Sequence, residues 1–148
     1  MASGLPDSGP VFHAGTLSGN PLATAAGLAA LGQLTPDVYM ELSARARRVA
    51  AILRDACQAA GFTARFPVVG TIFGMVCGDV PAPVDFAGAK RTDERAYGAF
   101  FQAMLAEGVA MAPGAYEAVF VGLAHDDAVI DELTEAAGRA AERVGSHR

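Results

Sequence analysis

FTARFPVVGTIFGMVCG, residues 62–78, is rich in Val, Ile, Phe and Thr and marks where the chain changes from helix to sheet. Pro67 divides it, predicting a short strand and then a longer one over roughly residues 69–77. Gly70 and Gly74 within the longer strand predict a bulge or a close backbone approach. Upstream, Val38, Leu42, Ala46, Val49, Leu53, Ala56 and Ala60 recur every three or four residues, which predicts a long amphipathic helix. Thr35 as N-cap and Pro36 at the first helical position open it, and Gly61 stops it. Arg45, Arg47, Arg48, Arg54 and Asp55 fall mostly off that face, and Glu41 can pair with Arg45. Further upstream, Asn20-Pro21 opens another helix, running to about Leu31 and closed by Gly32 or by Thr35-Pro36. Downstream, Pro81 and Pro83 predict a surface loop over residues 79–91. Thr92 then caps a third helix with an acidic start (Asp93, Glu94) and an apolar face of Tyr97, Phe100, Phe101, Met104 and Leu105, ended by Gly108. Residues 109–112 and 118–123 read as strands around a Pro113-Gly114 turn. Asp126 or Asp127 opens a last helix with Ile130, Leu133, Ala137, Ala140 and Val144 on one face. The order helix, helix, strands, helix, strands, helix implies an α+β fold, a small antiparallel or mixed sheet with helices on one side.

The 148 residues include 32 alanines and no tryptophan, so the core must use small residues and close helix contacts. Lys+Arg is 11 against 16 Asp+Glu, a net charge of −5, and Lys90 is the only lysine. An acidic chain without a basic run is a poor nucleic-acid binder. With 52% hydrophobic and 18% charged residues it is also too apolar for a disordered tail. Cys57 and Cys77 have no metal-ligand spacing and read as two buried thiols in a reducing cytoplasm, with no metal site. Gly4, Pro6, Gly9 and Pro10 predict an extended segment over residues 1–14, with no signal-peptide pattern. The stretch between Asp7 and Asp37 carries no formal charge, yet Pro10, His13, Asn20, Pro21 and Gln33 and its many alanines make it a buried helix rather than a membrane span.

Two places could carry chemistry. In Gly15-Thr16-Leu17-Ser18-Gly19-Asn20-Pro21, small residues, two hydroxyls and an adjoining helix N-terminus are the ingredients of a phosphate site; a well-capped helix start is the other reading. Glu117, in PGAYEAVF, is a lone carboxylate among apolar residues at a turn–strand junction. It is either held in a pocket or faces water at a strand edge, and the residues alone favour water. His125 reads as a helix-start residue, His13 is undecided, and His147 lies in a tail. Ser18 with a distant histidine is no triad. Lys90, beside Arg91 in a polar loop, is poorly placed as an amine nucleophile.

Three segments carry a resemblance: VFHAGTLSGNPLATAAGLAAL (residues 11–31), VGTIFG (69–74) and FFQAMLAEGVAMAPGAYEAVFVGLAH (100–125). They resemble the class III pyridoxal-phosphate aminotransferases, and within them the glutamate-1-semialdehyde 2,1-aminomutases, for which GTLSGNP is close to diagnostic. The likeness covers nearly the whole chain but only the C-terminal part of such an enzyme. It implies that residues 1–34 are the edge of a large domain and residues 35–148 the small domain of a fold-type I pyridoxal-phosphate enzyme. It further implies that Gly15 and Thr16 contact the phosphate of pyridoxal or pyridoxamine 5'-phosphate across a homodimer, and that Glu117 is the family's active-site glutamate, reversing the reading above. The implied reaction is a cytoplasmic isomerisation of glutamate-1-semialdehyde to 5-aminolevulinate in tetrapyrrole (porphyrin) biosynthesis. The Schiff-base lysine, the aspartate at the pyridine nitrogen and the ring-stacking aromatic belong to the large domain, so the chain alone is expected to be inactive. Tyr116 stands where the family usually has Phe, Gly114 and Gly122 where Ser is frequent, and Thr71 for Ser. The alternatives are another class III aminotransferase and a non-catalytic, stand-alone α+β binding module.

Overall fold

The structure, a computed structural model, describes residues 15–145; the extended segment expected over residues 1–14 lies outside them. The chain divides into two compact units, Met1–Val38 and Tyr39–Arg148.

In the first unit a turn leads into α1 (Pro21–Gln33). Asn20 caps it as expected, its Oδ1 accepting from the Leu22 and Ala23 amides at 3.0 and 3.1 Å. Gly32 does not stop the helix, which runs to Gln33. The expected burial is not found either: α1 contributes no buried residue, and Leu22 and Leu28 are 80% and 68% exposed. Its leucines and alanines lie on all sides rather than along one stripe, and the described residues of this unit supply no second layer to cover them. Thr35 Oγ1 accepts from the Val38 amide at 3.4 Å, the expected cap of α2 (Pro36–Ala59).

The second unit holds the core. α2 buries Ala46, Val49, Ala50, Leu53 and Cys57, close to the face read from its spacing. Gly61, at φ 70°, takes the left-handed conformation that turns the chain out of the helix, with the Phe62 amide bonded to the Cys57 carbonyl at 2.8 Å. The sheet is two antiparallel sheets. β1 (Ala64–Arg65) pairs with β4 (Val76–Cys77), while β2 (Val68–Val69), β3 (Ile72–Phe73) and β5 (Val119–Phe120) form a three-stranded sheet in the order β2-β3-β5. The single long strand expected over residues 69–77 is therefore broken. Gly70, at φ 58°, lets the chain reverse between Val69 and Ile72, so the glycine marks a hairpin rather than a bulge. Val68, Phe73 and Val119 pair in one row and pack on the core; Val69, Ile72 and Phe120 form the other row, with Val69 and Phe120 exposed. Residues 109–112 form no strand; Val109 and Met111 reach the core from irregular backbone.

A short helix absent from the sequence reading, α3 (Phe86–Ala89), is capped by Asp85, which accepts from the Gly88 amide at 2.6 Å. α4 (Glu94–Ala106) begins one residue later than a Thr92 cap would place it. Asp93 caps it, accepting from the Ala96 amide at 2.9 Å. Thr92, the one buried polar residue among those described, instead accepts from the Cys77 amide at 2.9 Å and ties α4 to β4. α4 buries Tyr97, Phe100, Ala103 and Met104, and Phe100 stacks on Phe62 with centroids 5.6 Å apart. Against it lies α5 (Asp127–Gly145), opened by Asp126 and burying Ile130, Ala136, Ala137, Ala140 and Ala141. The alanines allow close approach, as composition implied. Glu107, just beyond α4, accepts from Arg139 and Arg143 of α5, both at 2.7 Å. Both cysteines are buried and outside any disulfide, and burial, with Cys77 adding, pushes the Cys57 thiol up to about 12.

Two stability predictions follow from these ties. Thr92→Val keeps the shape of the side chain but leaves the Cys77 amide without its acceptor. It is expected to cost about 1–3 kcal/mol in urea unfolding, with Thr92→Ser losing much less; an unchanged midpoint in Thr92→Val would contradict this. The hydrogen bond from Arg139, with the charges of both arginines, holds the Glu107 carboxyl below the usual glutamate range despite an opposing desolvation effect. The folded state thus binds this proton less readily than the unfolded chain. The resulting stability is full above the unfolded value and is lost as pH falls through the folded one. The stability gap between wild type and Glu107→Gln should therefore shrink on acidification from neutral pH; a gap constant with pH would count against it.

Candidate active site

Gly15 and Thr16 lie in the first unit, in the turn before α1. The Ser18 amide bonds to the Gly15 carbonyl and the Asn20 amide to the Leu17 carbonyl, both at 3.0 Å, which shapes the turn. Gly15 comes close to Ser18: a Cβ there would lie 3.2 Å from the Ser18 hydroxyl. Thr16 is exposed. The helix N-terminus beside it is not the anion donor that the sequence offered. Pro21 has no N–H, the Leu22 and Ala23 amides are taken by Asn20 Oδ1, and the Thr24 amide bonds to the Asn20 carbonyl at 2.9 Å. An anion here would be met by the Thr16 hydroxyl and the backbone of the turn. Those residues fit one phosphate contact.

Glu117 lies in the second unit and is exposed, at the end of the turn Pro113-Gly114-Ala115-Tyr116. Its amide bonds to the Gly114 carbonyl at 3.2 Å, and its side chain folds back over Gly114, where an added Cβ would meet its Cγ at 3.2 Å and Oε1 at 3.4 Å. A side chain at this position would ask the exposed Glu117 side chain to give by a few tenths of an ångström.

The turn is held from α4. The Tyr97 hydroxyl donates to the Ala112 carbonyl at 2.6 Å, and the Tyr116 hydroxyl donates to Glu94 Oε1. Phe86 of α3 lies against the Tyr116 ring, centroids 6.0 Å apart, with the Lys90 ammonium 5.9 Å from the Phe86 centroid. Burial pushes the Tyr97 hydroxyl above its ordinary range, with Cys77 and Glu117 adding, and the bond to Glu94 does the same for Tyr116. Both hydroxyls therefore stay protonated donors at neutral pH. The sequence placed Tyr97 in the core and Glu94 at a helix start and saw no link between them. The available signal was the phenol itself, since a buried tyrosine needs a partner for its hydroxyl.

Beyond the turn, Arg45 of α2 donates to the carbonyls of Leu123 at 2.7 Å and His125 at 2.8 Å, while pairing with Glu41 as expected. His125 Nδ1 accepts from the Gly122 amide at 2.9 Å, so the ring braces the approach to α5. His13 and His147 lie outside the described residues. Among the described residues there is no cluster of three or more potential metal ligands, and no helix long and apolar enough to cross a membrane.

No protein-family model matches the chain. Its sequence is 45% identical over 130 residues to a glutamate-1-semialdehyde 2,1-aminomutase of Desulfosudis oleivorans, covering 87% of this chain and 30% of that protein. With the same enzyme of Deinococcus radiodurans the identity is 41% over 140 residues, covering 92% of this chain and 32% of that one. Among solved structures, a transaminase with pyridoxal phosphate bound superposes with a TM-score of 0.72 at 22% identity, over 96% of this chain and 32% of that one, a likeness of fold. A β-phenylalanine aminotransferase from Variovorax paradoxus gives 0.65 at 31% identity, over 90% of this chain and 30% of its own. The chain thus spans about a third of the length of these relatives. By sequence the chain is similar to the glutamate-1-semialdehyde 2,1-aminomutases, over a stretch of about 30% of such a protein.

Proposed function

We propose that the chain is the C-terminal portion of an enzyme that converts glutamate-1-semialdehyde to 5-aminolevulinate, the precursor of tetrapyrroles, in the cytoplasm. The observation that carries this reading is the 41–45% identity to aminomutases along about nine-tenths of the chain. Residues 1–34 would be the edge of a large domain and residues 35–148 the small domain. Pyridoxal 5'-phosphate, when bound, supplies the electron sink through which an amino group is moved. Gly15 and Thr16 would hold its phosphate, the threonine hydroxyl donating to a phosphate oxygen from a neighbouring subunit of a homodimer. Glu117 would present its carboxylate to the substrate and cofactor. Lys90, exposed and set over the Phe86 ring, does not fit as the cofactor's amine partner, so the chain by itself should lack turnover. A second reading, another aminotransferase of the class acting with an external amino acceptor, draws support from the 31% identity with the β-phenylalanine enzyme.

The test is a chimera in which this chain replaces its matching stretch of the Desulfosudis oleivorans aminomutase. It is expected to form 5-aminolevulinate, and Glu117→Gln should lower turnover at least tenfold with the cofactor still bound. Thr16→Val, losing a hydrogen bond to a charged group worth about 1.5–3 kcal/mol, should weaken pyridoxal-phosphate retention by roughly ten- to a hundredfold. Turnover by the isolated chain, or a Glu117→Gln chimera as active as its parent, would contradict the reading. Activity only with an external amino acceptor would favour the second one.

A further inference from the structure

Glu94 and Tyr97 are three residues apart on α4 and so share a face. From that face they reach the two ends of one turn. Tyr97 takes the Ala112 carbonyl at 2.6 Å, and Glu94 takes the Tyr116 hydroxyl. Between the tied residues Ala112 and Tyr116 lie Pro113, Gly114 and Ala115, and immediately after Tyr116 comes Glu117. We propose that Tyr97 and Glu94 are positioning residues for Glu117, acting together as a two-point clamp on the turn that presents its carboxylate. The inference rests on the reading of Glu117 as the site's carboxylate.

The physical case is one of constraint. The turn is largely at the surface, and glycine at 114 leaves it conformationally free, so its own backbone bond from Glu117 to Gly114 at 3.2 Å is a weak restraint. Tyr97 is 4% exposed, and its ring is fixed by the core, so its hydroxyl is a rigid anchor for Ala112. The second tie fixes the other end, and Phe86 packs against the same Tyr116 ring. With both ends held, the backbone at Glu117 is directed by the turn, and its exposed side chain lies over Gly114. With one tie cut, the turn can pivot about the other.

The experiment is amide hydrogen exchange by NMR on the isotopically labelled chain, comparing wild type with Tyr97→Phe, Glu94→Ala and Glu94→Gln. Tyr97→Phe removes only the hydroxyl, and Glu94→Gln keeps an acceptor for Tyr116. Tyr97→Phe and Glu94→Ala are expected to speed exchange of the Glu117 amide about tenfold and to shift resonances of residues 112–117, while the amides of Phe100, Met104 and Ile130 hold. Glu94→Gln should stay within about twofold of wild type, a rescue that a general loosening of α4 would not show. An unchanged Glu117 amide in Tyr97→Phe, or acceleration spread through α4 and α5, would overturn the clamp. In the chimera, turnover should fall with Tyr97→Phe and Glu94→Ala and be kept by Glu94→Gln. The amide data judge the clamp, whereas the Glu117→Gln chimera judges the functional reading, so either can fail without concealing the other.

Discussion

The buried face of α4 is the interaction on which the rest of the second unit depends. Phe100 and Met104 are fully enclosed, Phe100 against Phe62 and both within the core that α2 and α5 complete. Large side chains of this kind contribute about 1.5–3 kcal/mol each on burial, and no tryptophan is present to share the task. Each end of the same helix is tied to a neighbour. Thr92, just before it, holds the Cys77 amide of β4, and Glu107, just after it, holds two arginines of α5. From its first two turns, Tyr97 of the buried face and the exposed Glu94 reach the turn before Glu117. One helix therefore sets the core and the candidate carboxylate together, so damage to its packing would reach the site.

The four long helices, unlike the short α3, were legible in the sequence because their signals are local. Asn20-Pro21, Thr35-Pro36 and Gly61 mark ends by cap chemistry that needs no tertiary partner, and the three-and-four spacing of Ala46, Val49 and Leu53 marks a buried face. The strands were less legible because two-residue strands carry little periodicity. Gly70 has the same identity in a bulge as in a hairpin, and only the pairing of Val69 with Ile72 decides between them. Val-Ala-Met-Ala at 109–112 reads as a strand by composition, yet the core accepts Val109 and Met111 without a ladder. Thr92 and Asp93 are both competent caps. The choice between them is made by the Cys77 amide, which lies far away in sequence.

At the candidate site the limits are of another kind. Glu117 drew notice as a lone carboxylate, but its residues alone favoured a water-facing role, and its exposure in the chain agrees with that physical description. What gives it interest is the likeness to aminomutases, together with a turn that is held more firmly than a surface turn needs. Thr16 was legible as part of an anion loop for a reason the structure revises. The adjoining helix start is already satisfied by Asn20, so the hydroxyl and the turn are left to meet a phosphate. Tyr97 could not be found by pattern, because a tyrosine on an apolar helix face looks like any core aromatic until its hydroxyl's partner is seen.

The most direct measurement is native-state hydrogen exchange across the whole described chain, ranked by residue. If α4 organises the second unit, amides of residues 100–104, with those of the core residues 137–141 of α5, will be the last to exchange and will open only with global unfolding. If the α4 amides exchange ahead of α2 and α5 in a locally opening segment, the helix is a passenger on a core built elsewhere, and its central place is wrong.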